Sequence, residues 1–376
     1  MRIAAITNSR IPSSTANSIQ AMKVCEALVQ VGHEVRLFAP QETERATWHQ
    51  LAQHYGVRHE FEVVWKPSRT AVRRLDFVWS AEAAARQFGA ALRYSWLPQS
   101  AALAAWLDEP IILEMHADVA GTLGAWWLRQ FWRSERGRLL VTTAALRGRL
   151  EQSTRMRFPD RRIQVAPNGV DLERYQDLPT SAEARARLGL AEVFTIGFTG
   201  HFYSGRGLEM LAELARELGQ YQFLWVGGTP EAVADWRTRL QAAKQDNVIL
   251  TGFVENSRLP LYQAAADVLL MPYTNSVSAS SGQEISEIIN PMKMFEYMAS
   301  GRPIVTSSLP VIREVLDETR AVFCPPGDTP AWKAALLLLT ADPTRRAKLA
   351  ANARAEVERY TWLKRARRAL EGFGPQ

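Results

Sequence analysis

The chain has 376 residues, 47% apolar and 22% charged, with a formal net charge of +6. That length exceeds one ordinary core and points to two domains with a cleft between them. No apolar run reaches the roughly 18–20 residues of a membrane-spanning helix, and "MRIAAITNSR" lacks a charged leader, apolar stretch and cleavage site, so a cytoplasmic protein is expected.

The first forty residues read as a strand–helix–strand unit. "RIAAIT" is a buried-type strand, and "ANSIQAMKVCEALVQVG" is a helix with Ile19, Met22, Cys25 and Val29 on one face and Gly32 as its stop. The strand "EVRLFA" follows, and that order predicts parallel pairing. The intervening loop "NSRIPSSTANS" has no glycine, so it is not a dinucleotide-binding fingerprint. Further strands are predicted at 110–115, 138–143 and 162–167, before a Pro-Asn-Gly turn at 167–169. After a polar helix at 181–188 a second alternating series begins. It runs "FTIGFTG", a helix at 207–219, "QFLWVGG", a helix near 231–243, "NVILTGF", a helix at 258–266, "DVLLMPY", a helix opening at "NPMK", and "PIVTSS". The fold class is therefore α/β, with two doubly wound parallel-sheet domains.

In such sheets ligands collect beyond the carboxyl ends of the strands. After "FTIGFTG", Gly205 and Gly207 flank Arg206 where a helix begins, with Leu208, Leu211, Leu214 and Leu218 as its buried stripe. Backbone N–H groups, a positive helix end and a guanidinium suit a phosphate or diphosphate there; an ordinary surface turn with an exposed arginine fits the same residues. In "NPMKMFEYMASG", Asn290 suits a cap, Pro291 the first helical position and Gly301 the position past the end. Lys293 would stand beside the free amides, and Glu296 about one turn further on. A solvated glutamate on an amphipathic helix is the simpler account of Glu296. In the first half, "PIILEMHAD" places Glu114 and His116 on one side of a strand.

The stretches "GHEVRLFAP", "VAPNGVDLERY", "GHFYSGRG", "WVGGTPE", "NVILTGFVE", "AAADVLLMPY" and "NPMKMFEYMASGRPIVTS", in this order and spacing, resemble glycosyltransferase family 4 over nearly the whole chain, and the closing "RYTWLKRARRAL" is similar to that family's final helix. The resemblance implies a GT-B architecture, two Rossmann-like domains facing across a cleft. Residues 1–172 would form the acceptor-binding domain and 173–356 the nucleotide-sugar-binding domain, with a helix in 357–376 packing back on the first. It implies transfer with retention of anomeric configuration, with no metal and no cofactor beyond the nucleotide-sugar donor. Arg206 would neutralise the donor diphosphate, Glu296 would bind the nucleotide ribose, and His116 would stand against the donor sugar. Gly200, Asn290, Pro291, Met292 and Lys293 would complete the donor site, with backbone near Phe253 and Val254 meeting the base. The acceptor would be a glycan or a lipid-linked sugar of cell-surface polysaccharide or glycolipid synthesis.

One departure stands out. The first glutamate of the family's Glu-x7-Glu pair would fall at 288, where this chain has Ile288, with Glu287 beside it. Two other readings on the same fold stay open: a nucleotide-sugar epimerase or hydrolase, and a non-catalytic module binding a nucleotide sugar or glycan.

Cys25 and Cys324 lie far apart without metal or redox spacing and read as small apolar fillers. Residues 1–175 hold 23 Lys+Arg against 17 Asp+Glu, and 176–376 hold 22 of each, so the whole positive excess sits in the first half. A helix over 125–138 would set Trp127, Leu128, Phe131 and Trp132 against Arg129, Arg133 and Arg136; the run 66–74 adds Lys66, Arg69, Arg73 and Arg74. Such pieces suit peripheral contact with an anionic inner membrane face, and equally a core helix with a solvated back. No nucleic-acid-binding module is recognised.

Overall fold

The computed structural model describes residues 1–41, 45–72, 74–119, 121–278 and 284–373; Arg73 and the last three residues lie outside them. The chain divides into two compact units, Met1–Asn168 with Trp362–Gln376, and Gly169–Thr361. The breaks fall at 168 and 361, where the sequence suggested 172 and 356.

In the first unit the strands are β1 (Arg2–Ile6), β2 (Glu34–Gln41), β3 (Glu62–Pro67), β4 (Leu92–Ser95), β5 (Ile111–Met115), β6 (Gly137–Val141) and β7 (Ile163–Val165). The helices between them are α1 (Ala16–Gln30), α2 (Trp48–Tyr55), α3 (Leu75–Gln87), α4 (Pro98–Trp106), α5 (Gly121–Trp132) and α6 (Ala144–Thr154). All seven strands pair in parallel in the order β3-β2-β1-β4-β5-β6-β7. That order reverses between β1 and β4, which opens a crevice beyond their carboxyl ends.

The second unit repeats the plan. Strands β8 (Thr195–Thr199), β9 (Gln222–Val226), β10 (Val248–Leu250), β11 (Val268–Met271), β12 (Ile304–Ser307) and β13 (Ala321–Cys324) alternate with α7 (Ser181–Leu188), α8 (Leu208–Glu217), α9 (Pro230–Ala242), α10 (Leu259–Ala265), α11 (Met292–Ser300), α12 (Thr329–Ala341) and α13 (Pro343–Glu356). Its order is β10-β9-β8-β11-β12-β13, with the reversal between β8 and β11. The last helix, α14 (Trp362–Leu370), belongs to the first unit, where it packs on α1.

Central strands buried on both faces read as apolar runs: β8 and β11 are buried at every residue. The leucine stripe of α8 is buried as expected, Leu208, Leu211, Leu214 and Leu218 all being 3% exposed or less. Helix α1 departs from expectation. Ile19 and Val29 are only half-buried, whereas Ser18, Gln20, Lys23 and Glu26 are buried. With α14 on α1 as well as the sheet beneath it, a one-faced amphipathic pattern does not apply. Both cysteines are free and buried.

Helix α5 spans Gly121–Trp132 in place of 125–138, so Arg133 and Arg136 lie beyond its end. Its arginines do not form one free basic face. Arg129 Nη2 donates to the Thr154 carbonyl at 2.8 Å, Arg133 to Gln130 at 3.0 Å, and Arg136 to the Asp108 carbonyl at 2.5 Å. Among the described residues no helix is long and apolar enough to cross a membrane.

Candidate functional site

The second unit gathers its functional candidates at the β8/β11 reversal. Gly200 leaves β8 with φ 136°, and a Cβ there would lie 2.6 Å from Lys293 Nζ, so only glycine lets that ammonium approach the strand end. The loop returns through Gly207, a left-handed residue at φ 72° that caps α8 and presses on the Pro272 carbonyl. Thr274 N–H donates to the Gly205 carbonyl at 3.1 Å, tying this loop to the one after β11. Arg206 is thereby fixed with its guanidinium carbon 5.1 Å from the centre of the Tyr273 ring.

Lys293 meets it from the other side. Its Nζ lies 4.1 Å from the Phe198 ring centre and 5.8 Å from that of Tyr273, out of solvent and without a hydrogen-bond partner. Burial, then the nearby Arg206 charge, holds its pKa well below the usual lysine value, and Glu296 opposes that shift. Among the described residues neither cation makes an ion pair with a carboxylate. Two basic groups therefore share an aromatic wall without carboxylate contact, and an incoming anion would favour the charged form of Lys293.

Helix α11 begins one residue later than expected. Pro291, in extended geometry, is the cap, Met292 the first helical residue, and Asn290 stands outside. Proline has no N–H, and with ψ at 129° its own backbone has not yet turned helical. Met294 N–H turns back to the Pro291 carbonyl, which leaves the Met292 and Lys293 amides at the helix's positive end. Met294, Phe295, Tyr297 and Met298 are buried, while Glu296 is half-buried one turn from Lys293 on the same side. Gln263 Nε2 donates to Glu296 at 3.3 Å, and Gln263 Oε1 accepts from Tyr175 at 3.0 Å, so the carboxylate is propped from behind. Ile288 is 4% exposed, part of the core, and Glu287 beside it is exposed. Phe253, 50% exposed, and Val254 follow β10 after Gly252, whose carbonyl accepts from Gly227 N–H.

The first unit builds a different chemistry at the β1/β4 reversal. A cavity of about 310 Å³ lies there, with Asn8, Asn17, Trp96, Gln99, His116 and Asp118 in its wall. His116 Nε2 donates to Glu114 at 2.7 Å, leaving Nδ1 toward Asn17 Oδ1 at 3.5 Å. Glu114 has no exposed side-chain surface, yet it is ringed by donors. Gln20 at 2.5 Å and Arg365 at 2.5 Å reach one oxygen, and the Tyr94 hydroxyl reaches the other. Burial works against its charge, but Arg365 and His116 outweigh burial and hold its pKa down at about 2. Tyr94, Gln20 and Arg365 were not singled out in the sequence. Arg365 carries the one signal that could have found it: a cation on the apolar stripe formed by Trp362, Ala366 and Ala369.

Residues 18–174 match the family model described as Glycosyltransferase Family 4, and residues 193–342 match the one described as Glycosyl transferases group 1. The chain belongs to glycosyltransferase family 4. The D-inositol 3-phosphate glycosyltransferase of Xylanimonas cellulosilytica is 33% identical over 224 residues, 56% of this chain and 51% of that one. A putative teichuronic acid biosynthesis glycosyltransferase of Bacillus subtilis is 29% identical over 149 residues, 40% of this chain and 35% of that one. The chain thus spans about half the length, or less, of these curated relatives. The Anabaena protein HepE, solved in complex with UDP-glucose, superposes with a TM-score of 0.75 over 99% of both chains at 16% identity. Both units have the α/β architecture of the GT-B fold.

Two expectations follow for this family-4 chain. Arg365→Met leaves Glu114 buried without its arginine, and should cost about 3–5 kcal/mol; the added change Glu114→Leu should recover part of that. Because the Glu114 pKa falls from 4.5 to about 2, its stabilisation is present above pH 4.5 and lost as pH falls toward 2. The double variant should lack that acid-labile component in unfolding measured from pH 6 to 2. Lys293 has the opposite sign. A lysine whose folded pKa is depressed destabilises the fold below that pKa, and the penalty fades as pH rises toward 10.5. Lys293→Met should therefore raise the unfolding temperature of the ligand-free protein at pH 7 more than at pH 10; a drop at both would show that the ammonium carries no such burden.

Proposed function

We propose that the protein is a retaining glycosyltransferase that moves a sugar from a nucleotide diphosphate donor, held in the second unit, to a hydroxyl of a glycan or lipid-linked acceptor. The observation that carries the reading is the pair of basic groups without carboxylate contact, Arg206 and Lys293, with Lys293 one helical turn from the propped Glu296. In this assignment the diphosphate lies between the two cations and the Met292 and Lys293 amides, the ribose hydroxyls donate to Glu296, and the base meets the chain near Phe253 and Val254. Gly200 keeps the floor of the site open.

The bond between the anomeric carbon and the diphosphate oxygen breaks while Arg206, Lys293 and the helix amides take up the developing negative charge. The acceptor hydroxyl forms the new bond on the same face, and its proton passes to a phosphate oxygen of the leaving group. Retention rests on family membership. Charge neutralisation by side chains and amides is the support for metal independence. His116, oriented through Nε2 by Glu114, offers Nδ1 to a substrate hydroxyl. A role in cell-surface polysaccharide synthesis is supported by the kinship with the teichuronic acid relative.

A second reading, a non-catalytic module that binds the nucleotide sugar, draws on one observation: the family's first glutamate is here the core residue Ile288. The experiment that separates them is thermal unfolding in EDTA with UDP, GDP, ADP, CMP or dTDP, on wild type, Arg206→Ala and Glu296→Ala. UDP leads the panel because HepE was solved with UDP-glucose. One nucleotide is expected to stabilise the wild type, by roughly 2.7 kcal/mol at a hundred times its Kd, and neither variant. The matching donor, incubated with acceptors, should then give a product whose anomeric configuration equals the donor's by NMR coupling constants. An inverted product would end the mechanism, nucleotide binding without any transfer would favour the module, and equal shifts in all three proteins would dismiss the donor site.

A further inference from the structure

The first unit carries an aromatic feature that the donor chemistry does not use. Trp106, at the end of α4, and Trp126, on α5, are 50% and 40% exposed. With Trp127 they form a triad whose ring centres lie 5.9 Å (Trp106–Trp126), 5.7 Å (Trp106–Trp127) and 4.5 Å (Trp126–Trp127) apart. Large apolar rings left in water in a group mark a binding surface more often than a lone exposed ring does. Trp127 is also part of the cavity wall beside His116, so the triad continues directly from that cavity.

The cavity's own chemistry limits what it can take. Its described wall carries amides, a histidine and the two carboxylates Glu114 and Asp118, and no lysine or arginine. Trp96, also in the wall, has a buried indole N–H without an acceptor, a donor that a ligand oxygen would satisfy. Amides, a carboxylate and an indole donor beside tryptophan faces suit a polyhydroxylated ring: the hydroxyls exchange hydrogen bonds while C–H groups meet the electron-rich faces. Glu114 is already paired with Arg365 and Asp118 with Arg149 at 3.5 Å, and the described wall holds no further cation to receive an ionised phosphate.

We propose that this cavity takes one ring of an uncharged or amino-bearing saccharide acceptor, and that Trp127, Trp126 and Trp106 form a strip on which its next rings stack. The proposal rests on the glycosyltransferase reading and adds to it the acceptor's charge class and a minimum length beyond one ring. Continuity with the cavity through Trp127 favours a saccharide chain over a bilayer, since a membrane contact would not need to lead into a polar pocket. The arginines of α5 and its C-terminal turn are meanwhile tied to carbonyls and an amide rather than gathered for lipid phosphates.

The test uses the full chain with the stabilising nucleotide present, monitored by tryptophan fluorescence and saturation-transfer NMR. The probes are maltotriose, cellotriose and the trimers of N-acetylglucosamine and glucosamine, each against its monosaccharide, with inositol 3-phosphate as the anionic comparison. At least one trimer is expected to bind about tenfold more tightly than its monosaccharide, equivalent to about 1.4 kcal/mol. Trp106→Ala with Trp126→Ala should remove that tenfold, and the tyrosine pair at the same positions should restore most of it. The proposal is overturned if no trimer binds, if trimer and monosaccharide bind alike, if the alanine pair changes nothing, or if inositol 3-phosphate binds best. It is also overturned if phosphatidylglycerol vesicles bind in a Trp126-dependent way without any preference among saccharides. The nucleotide-induced thermal shift, read in the same samples, separates two failures. A lost shift in wild type counts against the glycosyltransferase reading, and an intact shift with no trimer effect counts against the strip alone.

Discussion

A carboxylate with no exposed surface must lose its charge or find a cation, and Glu114 finds Arg365, 251 positions further along the chain. Much of the first unit follows from that contact. It fixes α14 against α1 after the chain has completed the whole second unit, and it keeps Glu114 ionised so that Gln20, Tyr94 and His116 all have an acceptor. His116 is thereby oriented from behind by a group that touches no solvent. A buried ion pair of this kind contributes little net stability against an apolar alternative, so its value lies in fixing one arrangement.

The second unit solves the reverse problem. Arg206 and Lys293 are held near one another by glycine turns and aromatic rings, with Glu296 near Lys293 but no carboxylate in ion-pair contact with either. The cost is carried by the surrounding packing: Phe198, Tyr273 and Tyr297 are buried, and the glycines allow approaches that any Cβ would block. A site prepared in this way binds an anion by removing a repulsion as well as by adding contacts. In the reaction proposed above, the same two groups also match the negative charge that builds on the leaving diphosphate.

How far the sequence could be read depended on burial. The strands β1, β5, β8 and β11, covered on both faces, stood out as apolar runs, and the stripe of α8 was legible for the same reason. β4 was missed because Arg93, Tyr94 and Ser95 sit inside it, all buried, Arg93 being held by Glu109 at 2.8 Å. β3, half-buried at the sheet edge, gave no alternation to read. In the candidate site, Arg206, Lys293 and His116 were visible because each lies at a strand or helix end, and Glu296 because it stands as a carboxylate among the apolar residues of α11. Their supports were not visible. Tyr273, Gln263, Tyr175 and Arg365 act across long stretches of chain, and no local pattern reports that. The cap of α11 was misplaced by one residue because Asn-Pro satisfies two capping rules at once, and only the extended ψ of Pro291 decides between them.

Net charge does not point to the cations that lack carboxylate contacts. The whole excess of cations lies in residues 1–175, yet the cavity of the first unit shows no lysine or arginine among its described wall residues, and the two cations without carboxylate partners belong to the charge-balanced half. Counting cannot tell a paired charge from an unpaired one. Many first-half arginines are spent on structure: Arg93 on Glu109, Arg136 on Asp108, Arg147 on Asp160, Arg162 on Glu135. What sorts the ligands is the local inventory at each strand-order reversal. Topology makes the same crevice twice, and the side chains around it differ: two basic groups without carboxylate contacts stand at one, and amides, a histidine and tryptophan rings at the other.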